Sequence, residues 1–213
     1  MPGTTRKSLR RGTAVAQATC GSPDPLALIE EDHALQLELC DLLECLADAL
    51  PDFNGAIARS AAAILRQGFK PHLQLEEDML FPLLRRRAPD GSPLRAIMQQ
   101  LEAEHAADES FAHELADELQ LLADTGLARN AEMLGYMLRG FFEQQRRHIE
   151  WENRVLLPLA RQTLAQADLS ELQDWIMSSA RPACVKHSVA SLKRMRSGPA
   201  TCSRCTSRAR LAN

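Results

Sequence analysis

Two copies of one pattern lie 76 residues apart: His72-Leu-Gln-Leu-Glu76 followed by Pro82, and His148-Ile-Glu-Trp-Glu152 followed by Pro158. Each copy has a second histidine upstream behind an acid, Asp32-His33 for the first and Glu104-His105 for the second. Four imidazoles and two carboxylates on four helix-length segments are the donor set that a binuclear metal site inside a helical bundle requires. On a helix, residues four apart differ by about 40° around the axis and about 6 Å along it, so His72 with Glu76, and His148 with Glu152, each present two ligands on one face. The surrounding apolar stripes turn those faces inward. A carboxylate buried there without a cation would have to be protonated or would cost several kcal/mol, roughly.

The elements that must carry these residues are legible from periodicity. Ser22-Pro-Asp-Pro opens the ordered part, with Asp24 as cap and Pro25 in the first turn, where a missing N–H costs nothing. A first helix is predicted from there to about residue 50, stopped by Pro51, with Ile29, His33, Leu37, Cys40 and Leu43 or Glu44 in one stripe. A second is predicted over about 53–87, aligning Ile57, Ala61, Ile64, His72, Glu76, Met79 and Leu83, with Pro71 bending it one residue before the histidine. Pro89-Asp-Gly-Ser-Pro93 is a turn. A third helix over about 92–123 carries Met98, Leu101, His105, Ala112, Leu115, Leu119 and Leu122 on one face and ends at Asp124-Thr-Gly126. A fourth over about 127–167 aligns Leu134, Met137, Phe141, His148, Glu152, Val155 and Leu159, and a short helix follows over about 169–179. Short links between long amphipathic helices make neighbours antiparallel. The expected fold is therefore all-α, an up-down-up-down four-helix bundle over 24–180 with a short extra C-terminal helix.

Composition fits one such domain. The 213 residues are 45% hydrophobic and only 4% aromatic, so the core is built from Leu, Ala, Ile and Met. Residues 181–213 carry eight Lys/Arg and no acid, and residues 1–25 carry four Lys/Arg against Asp24, so a net charge of −3 leaves −14 on the segment between them. An acidic bundle argues against nucleic-acid binding by the bundle itself, while the basic tail could make weak contacts to phosphate. Both ends, 1–23 and 181–213, are expected to be disordered, because Ser, Arg, Gly and Pro cannot build a core. No run of about 18 apolar residues exists, so no spanning helix is expected. The first residues are too polar for a convincing export signal, and six cysteines in a chain of this length do not form a secreted disulfide framework; the expected location is the cytoplasm.

The run Phe69-Lys-Pro-His72-Leu-Gln-Leu-Glu76-Glu77-Asp-Met-Leu-Phe81-Pro82, the paired run from His148 to Pro158, and the Asp32-His33 and Glu104-His105 openings resemble the hemerythrin HHE cation-binding domain. The resemblance covers about residues 26–180. It implies a four-helix bundle around a non-haem di-iron centre, with His33, His72, His105 and His148 as terminal nitrogen ligands and Glu76 and Glu152 bridging the metals. The ligand set is closest to that of bacterial iron–sulfur cluster repair proteins. If both glutamates bridge, each metal receives two nitrogens and two oxygens, which leaves room for an exogenous ligand. Such donors suit iron or manganese, while the affinity order would favour zinc over ferrous iron, so two iron ions are expected with manganese and zinc as alternatives.

Three functions follow as expectations: a protein that binds or senses oxygen, nitric oxide or peroxide; an iron–sulfur cluster repair or iron-donating stress factor; or a structural or regulatory bundle with a redox-silent metal. No nucleophile with a positioned base, phosphate loop or nucleotide fingerprint appears, and whether the chain is an enzyme stays open. Glu77 and Asn153 are turned about 100° away from the ligands they follow, which places Glu77 at the helix surface or behind the ligands. Asp32 and Glu104 either orient ligands or are simply solvated. Ile29, Leu101 and Phe69 lie about one turn, and Phe141 about two turns, N-terminal to the ligands, as pocket wall or core. His113 belongs on the surface. In the tail, Cys184-Val-Lys-His187 and Cys202-Ser-Arg-Cys205 have the spacing of small structural zinc sites, in a segment with little apolar content.

Overall fold

A computed structural model describes residues 24–179. The basic N-terminal segment 1–23 and the tail with Cys184, His187, Cys202 and Cys205 lie outside the described residues, as do the expectations made for them. Among the described residues there are only helices: α1 (Pro25–Ala49), α2 (Gly55–Gln67), α3 (Lys70–Leu75), α4 (Phe81–Arg87), α5 (Pro93–Thr125), α6 (Ala131–Trp151), α7 (Leu157–Thr163) and α8 (Gln166–Ser178). One π-helical turn, Glu76–Leu80, joins α3 to α4, and another, Glu152–Leu156, joins α6 to α7. None of these helices is long and apolar enough to cross a membrane.

The starts and stops have local causes. Asp24 Oδ1 accepts from the Leu26 N–H at 3.1 Å with Pro25 in the first turn, as its sequence position predicts. Asn54 caps α2 and Asn130 caps α6 through their side-chain oxygens. Gly126, at φ 74°, ends α5 in the left-handed region that a side chain disfavours. α1 packs against α6 and α2 against α5, with α5 also meeting α6, while α8 lies across α1. Four rods thus alternate around one axis as expected. Two apolar cores fill the bundle: one around Leu39, Leu43, Leu115, Leu138 and Phe141, the other around Ile29, Leu80, Phe81, Met98 and Leu156.

Three departures from the periodic reading matter for the site. The second rod is not bent by Pro71; it breaks at Gly68–Phe69 and restarts as α3 with Pro71 in the first turn, where the lost N–H is harmless. A Cβ on Gly68 would sit 2.7 Å from the Ile64 carbonyl oxygen, so the break requires glycine. The fourth rod begins at Ala131 and ends at Thr163 rather than spanning 127–167, and α8 starts at Gln166 under an Asp168 side chain that accepts from the Ala165 N–H. Finally, each π turn inserts one residue. The Phe81 N–H bonds the Glu76 carbonyl and the Leu157 N–H bonds the Glu152 carbonyl, five residues back; Pro82 and Pro158 follow immediately and have no N–H to place. The slip moves the buried stripe by one position, to Leu80, Leu156 and Ala160 in place of Met79, Val155 and Leu159.

Candidate metal centre

The six side chains singled out by the sequence meet between the two apolar cores. His33 stands on α1, His72 on α3, His105 on α5 and His148 on α6, and each glutamate opens a π turn. His33, Glu76 and Glu152 are wholly buried, His72 and His105 nearly so, and His148 is half-buried. All four Nε2 atoms point inward. His33 Nε2 lies 3.2 Å from Glu152 Oε2 and 3.9 Å from Glu76 Oε1; His72 Nε2 lies 3.5 Å from Glu76 Oε2. His105 Nε2 is 3.5 Å from Glu76 Oε2 and 3.7 Å from Glu152 Oε1, and His148 Nε2 is 3.2 Å from Glu152 Oε1. The donors fall into two groups that share Glu152: His33, His72, Glu76 and Glu152, and His105, His148 and Glu152.

The outward nitrogens explain why the inner ones are lone pairs. His33 Nδ1 bonds Asn153 Oδ1 at 2.7 Å, His105 Nδ1 bonds Glu77 Oε1 at 2.9 Å and His148 Nδ1 bonds Glu104 Oε2 at 3.1 Å. His72 Nδ1 faces Asp32 Oδ2 at 3.8 Å. These partners are acceptors, so the Nδ1 atoms donate and the Nε2 atoms, once free of protons, are left to bind a cation. The arrangement has an approximate two-fold character. The acid before one histidine serves the histidine of the following pattern, Asp32 for His72 and Glu104 for His148. The residue after each glutamate reaches back to the other half, Glu77 to His105 and Asn153 to His33.

Bare lone pairs facing carboxylates are unfavourable unless something positive lies between them. His105 Nε2 and His148 Nε2 stand 3.1 Å apart, the edge expected of two nitrogens about 2.0–2.1 Å from one ion. Both oxygens of Glu76 and both of Glu152 are buried without a hydrogen bond, as is His33 Nε2. Native interiors rarely leave so many acceptors orphaned in one place. Burial, then the charge of Glu152, push the Glu76 carboxyl well above its ordinary range. Burial acts the same way on Glu152, but the imidazoles of His105, His148 and His33, each with Nε2 3.2–3.7 Å from its oxygens, outweigh it and hold that carboxyl well below the ordinary range. Burial opposes charge on His148, yet Glu152 and Glu104 raise it to about 9. Protons on Glu76 and His148 therefore stand in for positive charge that the donor set demands, and the residues fit metal.

Other expectations resolve unevenly. All four are core residues, Phe69 and Phe141 of the first core and Ile29 and Leu101 of the second; Phe69 and Phe141 also line a small chamber against the imidazoles, and Leu101 also walls a separate cleft of about 620 Å³ between α5 and α6, which touches His148 and Trp151. His113 is exposed, as expected. Glu77 stands behind His105, and Glu104 bonds His148 rather than facing water alone. The Asn153 contact was not anticipated, although its place right after Glu152 matches that of Glu77 after Glu76. Gln36, Asp108 and Gln145, which line the chamber, were missed too; each lies three residues from a histidine, a spacing that puts it on the same helix face.

The family model of the Hemerythrin HHE cation binding domain matches residues 24–160, more than half of the chain. Neither the curated proteins nor the solved structures contain a match to it. The chain, which carries buried His/Glu clusters within that span, belongs to the hemerythrin HHE cation-binding domain family.

Proposed function

We propose that this is a cytoplasmic non-haem di-iron protein that binds or senses a small ligand, namely oxygen, nitric oxide or peroxide, at an open His4Glu2 site. The observation that carries the reading is the set of four orphaned carboxylate oxygens enclosed by four inward Nε2 atoms. His33 and His72 would hold one ion and His105 and His148 the other, with Glu76 and Glu152 shared. Iron, when bound, supplies redox chemistry and coordination positions that the protein donors leave free. The chain's own residues do the rest. Asn153, Glu77 and Glu104 fix ring orientation and strengthen the imidazoles as donors, and the two apolar cores exclude bulk water from both ends of the site.

Metal analysis with optical spectra of freshly purified protein tests the reading. The expected result is about two iron per chain and a visible absorption that changes on exposure to oxygen or nitric oxide, in line with a two-metal site. Protein that carries zinc alone, or iron spectra indifferent to both gases, would overturn it.

A further inference from the structure

Beside the histidines lies a chamber of about 20 Å³, lined by Gln36, Phe69, His72, Asp108, Phe141 and Gln145 among others. Its position follows from helix geometry. Gln36 and Asp108 come three residues after His33 and His105, while Phe69 and Gln145 come three before His72 and His148. Because the rods alternate in direction, all four reach one level, about 4.5 Å beyond the imidazoles and on the side away from the π turns. Room for one water centre takes about 10–15 Å³, so the chamber admits a ligand of one or two heavy atoms and little more.

The polar groups at this level are not equivalent. Asp108 accepts from the side-chain amides of both Gln144 and Gln145, the latter at 2.7 Å, so the Gln145 amide is anchored to Asp108 through one of its N–H groups. Gln36 differs: its Nε2 is buried and has no hydrogen-bond partner. A buried amide donor left open is costly, and one that borders a chamber beside a candidate metal pair is poised for an acceptor that arrives with the ligand. The opposite wall, Phe69 and Phe141 in edge contact at 5.8 Å, offers no donor.

We propose that Gln36 donates a hydrogen bond to the outer atom of the small ligand, so that the chamber favours diatomic ligands that take up negative charge on binding. This rests on the reading of the site as an open iron centre. Apolar diatomics of equal size gain nothing from the amide, whereas nitric oxide on ferrous iron, which draws electron density onto its oxygen, gains a charge-assisted contact. The contribution is read mostly in how slowly the ligand leaves.

The test uses the full chain loaded with ferrous iron without oxygen, with nitric oxide as the probe. In the wild type, replacing H2O by D2O shifts the N–O stretch, because the amide proton exchanges. In Gln36→Leu, iron content and helix content are retained, the solvent-isotope shift disappears, and nitric oxide dissociates on the order of tenfold faster, the effect of losing one hydrogen bond to a charged group. Gln36→Met, closer in shape and also without a donor, gives the same result and stands in should the leucine variant not fold. Retention of the isotope shift and the dissociation rate in either folded variant overturns the role of Gln36 and leaves the iron reading intact. An isotope-insensitive wild type does the same. Iron-loaded wild type that takes up no nitric oxide overturns both.

Discussion

Replacing Glu76 by glutamine should stabilise the metal-free protein and, at the same time, destroy its capacity for two ions. The Glu76 carboxyl is wholly buried, neither oxygen has a hydrogen bond, and Glu152 faces it across the site. Burial first and Glu152 second push its pKa up, so the folded metal-free protein binds a proton that the unfolded chain releases above its ordinary value of 4.5. The sign follows: this residue lowers the stability of the metal-free fold progressively as pH rises above that value, and the loss levels off only above the raised folded value. At about 1.4 kcal/mol per pH unit, keeping the proton costs at most about 3 kcal/mol at pH 7 and less than about 1 kcal/mol at pH 5. A neutral glutamine amide carries none of that cost and can donate to the His72 and His105 Nε2 atoms, each 3.5 Å from the present Oε2. Urea denaturation of metal-stripped wild type and Glu76→Gln should therefore show the variant more stable at pH 7, by up to about 3 kcal/mol, and the gap narrowing toward pH 5. Metal titration of the same variant should lose the second ion. A variant less stable than wild type at pH 7, or a gap that widens at pH 5, would refute the account of Glu76 as an uncompensated buried acid.

Asn153→Leu removes the acceptor that holds His33 Nδ1 and should weaken metal binding about 10–100-fold, read by chelator competition, with helix content unchanged. Gly68→Ala drives a Cβ against the Ile64 backbone just before α3 and should cost about 1–3 kcal/mol in thermal unfolding, while the same change at Gly140, whose nearest contacts are at 3.7 Å, should cost no more than a few tenths or even stabilise, by roughly 0.5–1 kcal/mol, since it lies inside a helix. Stripping the metal with a chelator should lower the melting temperature by an amount that grows with the concentration of metal restored, since the ions bind only the folded site. Acidifying the metal-loaded protein should release the ions, because every donor must be deprotonated to bind and the metal-free site holds a proton on His148 up to about pH 9.

Much of this site is written in residue spacing. A histidine and a glutamate four apart can share a helix face whatever the rest of the fold, so the six donors and the antiparallel bundle follow from local periodicity. The π turns do not. They insert one residue after each glutamate, and a strict 3.6-residue reading carried past Glu76 and Glu152 misassigns Met79, Val155 and Leu159 to the core. Pro82 and Pro158 stand in both copies of the sequence pattern, but only the three-dimensional register shows the slip they permit. The partners of the outer nitrogens depend on which rods adjoin: Asn153 reaches His33, 120 positions away in the chain, because α6 packs on α1. The Gly68 break depends on a backbone close approach to Ile64, which no composition rule reveals.

The number and placement of bound ions are the most direct test of a shared two-metal site. Anomalous diffraction from crystals of the iron-loaded full chain should show two peaks, about 3.5–4 Å apart, one beside His33 and His72 and the other beside His105 and His148, with Glu76 and Glu152 between them. A single peak, peaks remote from these six residues, or a fully loaded protein in which any of the four Nε2 atoms turns away from metal would contradict it.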